Sequence, residues 1–187
     1  LADDIPIARG SVRTGKRSIS WRSDHPATLY AIEALDGGDA ATEATKRDRV
    51  SLLSAPFDGE FAPMWDSELR MNSIMWGDDE LAMAWTWRWN DRLLRMWRLD
   101  PSGEREPALL KVRSFQDNYA DPGTPMTWPG PYGWGVIHQV DEGILMSGRG
   151  IRPDGVRPFL DVMDLETGES RTLWRASNTH HETMTAV

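Results

Sequence analysis

A pattern that occurs three times along the chain constrains the fold more than any other feature of the sequence. Each copy has an apolar stretch, a turn that ends in Gly-Glu, and a second stretch that closes on two bulky apolar residues. The turns end at Gly59-Glu60, Gly103-Glu104 and Gly168-Glu169. Asp and Gly suit such turns, because Asp hydrogen-bonds back to the chain and Gly accepts a positive φ. The pattern predicts three similar β-hairpins.

Each hairpin is preceded by two further apolar stretches, so that each unit contains four strands. These stretches begin at Ser18 and Leu29, at Ser73 and Leu81, and at Trp134 and Ile144. The spacing of about 55–60 residues is typical of four-stranded propeller blades, whereas parallel solenoids have shorter repeats. We therefore predict an all-β fold, a partial β-propeller of about three four-stranded antiparallel blades, near residues 16–70, 71–130 and 131–180.

The number of units predicts a fragment of one propeller domain. Propellers typically close with about 4–8 blades, more than the units found in these 187 residues. Met184–Val187 resembles the first strand of a further unit, and Asp3–Ile7 resembles the end of a preceding one. We expect the remaining blades to be partners of this piece.

Composition excludes several classes of function. A net charge of −8 argues against nucleic acid, whose phosphates attract basic surfaces. No apolar run approaches the roughly 18 residues that a membrane helix needs, so we predict no membrane partner. With no cysteine, disulfides and thiolate zinc sites are excluded, while the cellular location stays open. The proportions of apolar and charged residues are typical of a soluble globular protein.

A series of short strings along the chain resembles, in order, one known family. The strings are Ser18–Leu29, Glu33–Asp39, Asp48–Val50, Ala55–Glu60, Trp76-Gly77, Leu81-Ala82, Gln116–Pro125, Gly148–Gly150 and Arg157–Asp161. Together they resemble the propeller of the glutamyl endopeptidase branch of the prolyl oligopeptidase family of serine peptidases. The resemblance extends from about Asp3 to Trp174. Each string alone is turn-rich and unspecific; their common order carries the resemblance.

The resemblance implies an enzyme in which an N-terminal propeller covers a C-terminal α/β-hydrolase domain and restricts access to peptides and flexible segments. The catalytic Ser of such a hydrolase lies in a Gly-x-Ser-x-Gly elbow, with Asp and His after it. Ser102 and Ser147 lack the flanking glycine pair, so no catalytic residue is carried over. The implied role is the non-catalytic, substrate-gating part of a serine peptidase, with the hydrolase domain and a peptide substrate as partners.

The densest aromatic and basic patch supplies the candidate substrate contacts. These are Trp85, Trp87, Arg88, Trp89, Arg92 and Arg95. Trp faces and Arg guanidinium groups bind peptides or carbohydrates, and in an enzyme that cleaves after Glu an Arg here would face an acidic substrate. The structural alternative is that the Trp side chains fill the space between blades while the Arg side chains line the opposite side. Ring exposure distinguishes the two.

Three other features lie outside the set of candidate substrate contacts. His180-His181-Glu182 is expected to be a polar loop, because adjacent residues of a strand point to opposite faces. Asp78-Asp79-Glu80 suits a solvated hairpin better than a calcium loop, and we predict no metal and no cofactor. The Pro/Gly-rich stretch Asp117–Pro131 either meets the hydrolase domain, gates entry, or is a passive linker.

Two alternatives to a peptidase part stay open. One is a stand-alone propeller-type binding module, and the other is a truncated, non-functional reading frame. A Gly-x-Ser-x-Gly elbow encoded downstream would favour the peptidase, whereas an early stop codon would favour the truncated frame.

The isolated chain is expected to self-associate. Unpaired strand edges and the apolar faces of terminal blades recruit other chains. Sedimentation velocity over a range of protein concentrations should show a concentration-dependent increase in mean mass. A sharp monomer at high concentration would contradict open blade edges.

Overall fold

The computed structural model describes residues 5–180 and 182–183, and the regular structure within them is entirely β. Asp3-Asp4, His181 and the expected strand Met184–Val187 lie outside the described residues. No helix in the described part of the chain is long and apolar enough to cross a membrane.

Sheets I and II are four-stranded antiparallel meanders in which sequence neighbours pair. Sheet I contains β1 (Lys16–Trp21), β2 (Thr28–Ala34), β3 (Asp48–Ser54) and β4 (Ala62–Ser67). Sheet II contains β5 (Arg70–Asp78), β6 (Leu81–Arg88), β7 (Leu93–Leu99) and β8 (Ala108–Ser114). The first two predicted units therefore have their predicted strands, in the predicted order.

Sheet III follows the same order but is assembled from more pieces. Between sheets II and III lie β9 (Thr124–Pro125), β10 (Thr127–Pro129) and β11 (Gly135–Ile137). Then come β12 (Gln139–Val140), β13 (Gly143–Gly148), the small hairpin β14 (Ile151–Arg152) and β15 (Gly155–Val156), β16 (Phe159–Met163) and β17 (Ser170–Arg175). The path is β12-β13-β16-β17, and β9 also pairs with β13.

The first strand of the third unit differs from the prediction. The stretch that begins at Trp134 was expected to pair with the strand at Ile144, but β11 pairs with β10 in a separate hairpin. Two short strands, β9 and β12, share the edge of β13 instead. The hairpin forms because Gly130 donates its N–H to the Trp134 carbonyl at 2.7 Å. A Cβ on Gly130 would lie only 2.8 Å from that carbonyl oxygen, so glycine is required there.

The three sheets pack in series, face to face. One core cluster joins sheets I and II and includes Val50, Trp76 and Leu99. A second joins sheets II and III and includes Met83 and Met146. Strand β6 therefore faces both cores, which matches the alternation of side chains along a strand. The predicted fold class is confirmed: the chain is all-β, with four-stranded antiparallel sheets stacked as in a partial propeller.

A buried arginine connects sheet I to sheet II. Arg70, the first residue of β5, is 3% exposed. Its guanidinium donates to both carboxylate oxygens of Asp36 at 2.7 Å and to Asp48 at 2.8 Å. It also donates to the backbone carbonyls of Gly10 and Arg47. Because the donors belong to sheet II and the acceptors to sheet I and its connections, these bonds hold the two sheets in one relative position.

The carboxylate of Asp36 stays ionised in this buried setting. Burial alone would raise its pKa, but hydrogen bonds from Arg70, from Arg47 and from the Gly38 N–H outweigh burial and lower the pKa below its ordinary value. A carboxyl group with a lowered folded-state pKa stabilises the fold above its unfolded-state pKa, and the contribution is lost as pH falls through the folded-state pKa. The link between sheets I and II is therefore sensitive to acid.

The Gly-Glu turn of sheet III packs directly on sheet II. Gly168 has a φ of +70°, and a Cβ there would lie 2.4 Å from the Leu110 carbonyl oxygen of β8. In the same connection, Glu166 forms an ion pair with Arg98 of β7 at 2.9 Å. The third turn therefore needs glycine for backbone conformation and for close approach between sheets.

Replacing Arg70 with methionine should strongly destabilise the protein. The substitution keeps much of the side-chain volume but removes one guanidinium from two buried carboxylates, which leaves Asp36 with Arg47 and Asp48 with Arg17. Breaking a buried ion pair typically costs about 3–5 kcal/mol. Urea denaturation gives the free energy of unfolding. Arg49→Met is the matched control, because Arg49 pairs with Asp66 where both side chains are about one-third exposed. Equal effects of the two substitutions would contradict a linking role for Arg70.

Candidate functional site

The aromatic and basic candidates lie along β6 and β7 and the turn between them, but they do not form one surface. Trp85 is 9% exposed and belongs to the core between sheets II and III. Trp87 and Trp89 are half-buried at the end of the hairpin. Trp85 therefore fills the space between two sheets, as the structural alternative to substrate binding predicts for the tryptophans. The remaining candidates lie at the edge of the stack.

An aromatic cluster forms at this edge from Trp87, Trp89 and Phe115. Their ring centroids lie 6.0–6.3 Å apart, and Trp87 meets both neighbours edge to face. The Phe115 N–H donates to the Arg92 carbonyl at 2.7 Å, which ties the end of β8 to the turn. Phe115 is absent from the sequence-based candidates. The sequence gives one indication of its role: Phe115 is an aromatic residue that directly follows β8, the last strand of sheet II.

Arginine side chains cover the Trp89 ring of this cluster. The guanidinium carbons of Arg9 and Arg92 lie 4.7 and 4.3 Å from the Trp89 ring centroid, within cation–π distance. Arg92 also donates to the Trp89 carbonyl and has a φ of 61°, in the left-handed region. The turn thus uses Arg92 to cover its own tryptophan, and Trp89 presents less free ring surface than the sequence suggests.

The other two candidate arginines have carboxylate partners within the chain. Arg88 pairs with Asp91 at 2.6 Å, and the hydrogen bond from Arg88 lowers the pKa of Asp91 to about 2. Arg95 pairs with Glu68 at 2.9 Å, and its hydrogen bond lowers the pKa of Glu68. A substrate carboxylate at either arginine would compete with a partner that stays ionised at neutral pH.

The hairpin β10–β11 presents a second aromatic surface, which we call the aromatic hairpin (residues 127–137). Trp128, Tyr132 and Trp134 are each about half exposed or more. The Trp128 ring stacks on His138 at a centroid distance of 4.8 Å and an interplanar angle of 7°. The sequence singled out Asp117–Pro131, which contains the first half of this hairpin, for its prolines and glycines, but not these aromatic rings.

The base of the aromatic hairpin is firmly held. Val136 is 5% exposed, and Ile137 is 1% exposed and lies in the core between sheets II and III. Strand β11 also contacts β5, the first strand of sheet II. Just beyond β11, the Gln139 amide donates to Asp78 at 2.7 Å. A rigid base and exposed aromatic rings are typical of surfaces that bind other protein segments.

The polar candidates have structural partners in the described residues. Asp78 accepts the Glu80 N–H at 2.9 Å, Asp79 pairs with Arg22, and Glu80 pairs with Arg105. Within residues 5–180 and 182–183, no group of three or more His, Asp and Glu side chains is placed to hold a metal ion. His181 of the His-His-Glu string lies outside those residues.

Comparisons with known proteins identify the relatives of this chain. It is 40% identical over 196 residues to a probable chloroplastic glutamyl endopeptidase of Oryza sativa subsp. japonica, and the match covers 100% of the chain. It is 41% identical over 197 residues to a protein of the same description from Arabidopsis thaliana. The predicted resemblance to glutamyl endopeptidases is confirmed.

The matched region is a small part of those relatives. The chain spans 21% of the rice protein and 20% of the Arabidopsis protein. No protein-family model matches the chain, and no solved structure matches it. The similarity to glutamyl endopeptidases therefore concerns a single segment, the three-sheet stack described above.

Trp85→Ala and Trp89→Ala should separate core from surface roles within the candidate set. Removing the buried Trp85 ring should cost about 3–5 kcal/mol of unfolding free energy, as is typical for a large aromatic core residue. Trp89→Ala should cost clearly less, because its ring is only half-buried and is covered by arginine side chains rather than by the apolar core. Denaturant unfolding of both variants measures the difference. A loss at Trp89 as large as that at Trp85 would show that the cluster is structural throughout.

Proposed function

We propose that this chain is the non-catalytic, substrate-gating propeller part of a serine peptidase of the prolyl oligopeptidase family, with glutamyl endopeptidase as its model. The observation that carries the proposal is the match to probable glutamyl endopeptidases along 100% of the chain. The serial stack of four-stranded sheets supports it, because propeller blades stack in that way. We propose blades near residues 16–70, 71–130 and 131–180. Strand β9 belongs to the last blade because it pairs with β13, although it precedes residue 131.

In this proposal the catalytic residues lie in a part of the enzyme outside these 187 residues. A Gly-x-Ser-x-Gly elbow, which exposes a nucleophilic Ser at a strand-to-helix turn, occurs nowhere in the sequence. The partners of the chain are then the hydrolase domain, further blades that complete the ring, and a peptide substrate. Its own contribution is to limit which segments of a substrate reach the hydrolase.

The aromatic hairpin is the surface best suited to the gating role. It projects from the first-strand position of sheet III, its base is fixed in the core by Ile137, and its exposed rings are Trp128 and Trp134. Exposed tryptophans on a rigid base bind extended peptide or protein segments through large apolar contacts with little loss of side-chain entropy. In the proposed enzyme they contact either the hydrolase domain or an entering peptide.

Replacing Trp128 and Trp134 together with serine tests the gating role in the whole enzyme. If the hairpin controls access, kcat/KM for a long Glu-containing peptide should change by about tenfold or more, corresponding to about 1.4 kcal/mol. The value for a short chromogenic Glu substrate should stay within about twofold. Steady-state kinetics on both substrates give the change in kcat/KM for each.

Trp21→Ser is the matched control, because Trp21 is 48% exposed and lies in β1 of sheet I, outside the aromatic hairpin. It should leave both kinetic constants unchanged. Equal changes with long and short substrates in the double variant would argue against gating. An absence of Glu-dependent peptidase activity in the whole unsubstituted protein would overturn the proposed function itself.

A further inference from the structure

A cleft of about 370 Å³ lies between sheets II and III, away from the aromatic hairpin. One wall is formed by β8, the other by β16 and β17, and the hairpin β14–β15 lies at one end. Its volume falls in the range of about 300–1,000 Å³ that is typical of small-molecule and peptide sites. The cleft is open to solvent.

The charge of the cleft is opposite to that of the chain. Four cationic side chains and two carboxylates line it, an excess of two positive charges in a chain of net charge −8. The cations are Lys111, Arg113, Arg152 and Arg175. Such a concentration of positive charge in an acidic protein attracts anions and excludes cations.

Three of these cations lack an acidic partner within the described part of the chain. Arg113 is neutralised by Asp121 at 3.0 Å. Lys111, Arg152 and Arg175 form no ion pair with residues 5–180 or 182–183. The Arg175 guanidinium lies over the Phe159 ring at 5.0 Å, which orients it without neutralising it. Within the described residues, no carboxylate competes with a ligand for these three groups.

A buried carboxylate oxygen gives a second, independent sign of a ligand. Asp161 is 8% exposed and lines the cleft, and its Oδ1 has no hydrogen-bond partner among the described residues. A buried, unpaired carboxylate oxygen is costly, typically by more than a hydrogen bond is worth. This oxygen has almost no surface accessible to solvent, so a ligand with N–H donors satisfies it once the Asp161 side chain turns toward the cleft.

The ligand must therefore combine negative charge with hydrogen-bond donors. A simple anion would meet the cations but would be repelled by Asp161, and an amine would have the opposite difficulty. A peptide with acidic side chains provides both, since its carboxylates and its backbone N–H groups lie within a few ångströms of each other. Exposed apolar atoms of Val112 and Tyr119 at the cleft would contact its aliphatic parts.

We propose that the cleft between sheets II and III binds acidic peptides, with their carboxylates on Lys111, Arg152 and Arg175 and a backbone N–H on Asp161. The choice of a peptide rests on the proposed function, because a peptidase meets peptides as substrates and products. The binding itself depends only on residues of this chain. In the whole enzyme the cleft would retain acidic segments on the propeller independently of bond cleavage.

Calorimetric titration of the 187-residue chain with two capped pentapeptides tests the proposal. One is acetyl-Ala-Glu-Ala-Glu-Ala-amide, whose Glu side chains point the same way in an extended chain; the other has Gln in place of both Glu residues. At low salt the Glu peptide should bind with a Kd below about 1 mM, and the Gln peptide at least about tenfold more weakly. Equal binding of the two peptides, or no binding, overturns the proposal.

Substitutions in the chain locate the site. Lys111→Gln and Arg152→Gln should each weaken binding of the Glu peptide about threefold, as expected for solvent-accessible charge pairs. Arg149→Gln is the matched control, because Arg149 is exposed and close in sequence but does not line the cleft, and it should leave the Kd unchanged. Arg152 is itself exposed, so its replacement does not threaten the fold. Unchanged binding in both cleft variants overturns the assignment.

Asp161→Leu tests the role of the buried carboxylate. If its Oδ1 accepts a peptide N–H, the nearly isosteric leucine should weaken binding by about fivefold. If the carboxylate only repels anions, the same change should strengthen binding, which would overturn this part of the proposal. These titrations need no peptidase activity, so they succeed or fail independently of the proposed function.

Discussion

The ionic contacts of Arg70 hold the first two sheets in position, and the rest of the stack depends on that position. A guanidinium at the start of β5 binds two carboxylates that sheet I and its connections provide, Asp36 and Asp48. An ion pair this deeply buried is stable only when nearly all donors and acceptors are satisfied, and Arg70 also reaches two backbone carbonyls. Such a contact fixes the start of β5 relative to Asp36 and Asp48.

Sheet II then acts as the centre of the molecule, with one core on each face. Its contacts with sheet III include the ion pair of Arg98 and the close approach of Gly168 to the Leu110 carbonyl. The aromatic hairpin and the basic cleft both lie along the junction of sheets II and III. This pair of packed sheets thus carries two surfaces of different chemistry, one aromatic and one cationic, and both are proposed here to contact peptides or protein segments.

The predictable parts of this structure are those that follow from local chemistry. Alternating strands such as β6 and the hairpins after each Gly-Glu turn were predictable, because side-chain alternation and turn residues act over a few positions. The repeat conceals differences, however: Gly168 needs a positive φ, whereas at the Gly59 turn the left-handed residue is Phe57. The aromatic hairpin interrupts the third unit because Gly130 closes a turn on Trp134.

The candidate site was predictable in composition but not in geometry. Sequence placed Trp85, Trp87 and Trp89 on one side of a strand, but only the packing of sheet III on Met83 and Trp85 buries the first of them. Residues distant in sequence determine how accessible the other candidates are. Glu68 forms an ion pair with Arg95, and the Arg9 guanidinium lies over the Trp89 ring. The cleft brings together β8, β16 and β17, so no local pattern indicates it.

Covalent labelling with a fluorophosphonate probe, which reacts with activated serines, tests whether this chain is the non-catalytic part of a serine peptidase. The whole protein encoded by the reading frame that contains this chain, and the 187-residue chain alone, would be labelled and mapped by mass spectrometry. We expect one labelled serine in the whole protein, in a Gly-x-Ser-x-Gly elbow outside these residues, and no labelling of the chain alone. A labelled serine within residues 1–187, or an unlabelled whole protein, would contradict it.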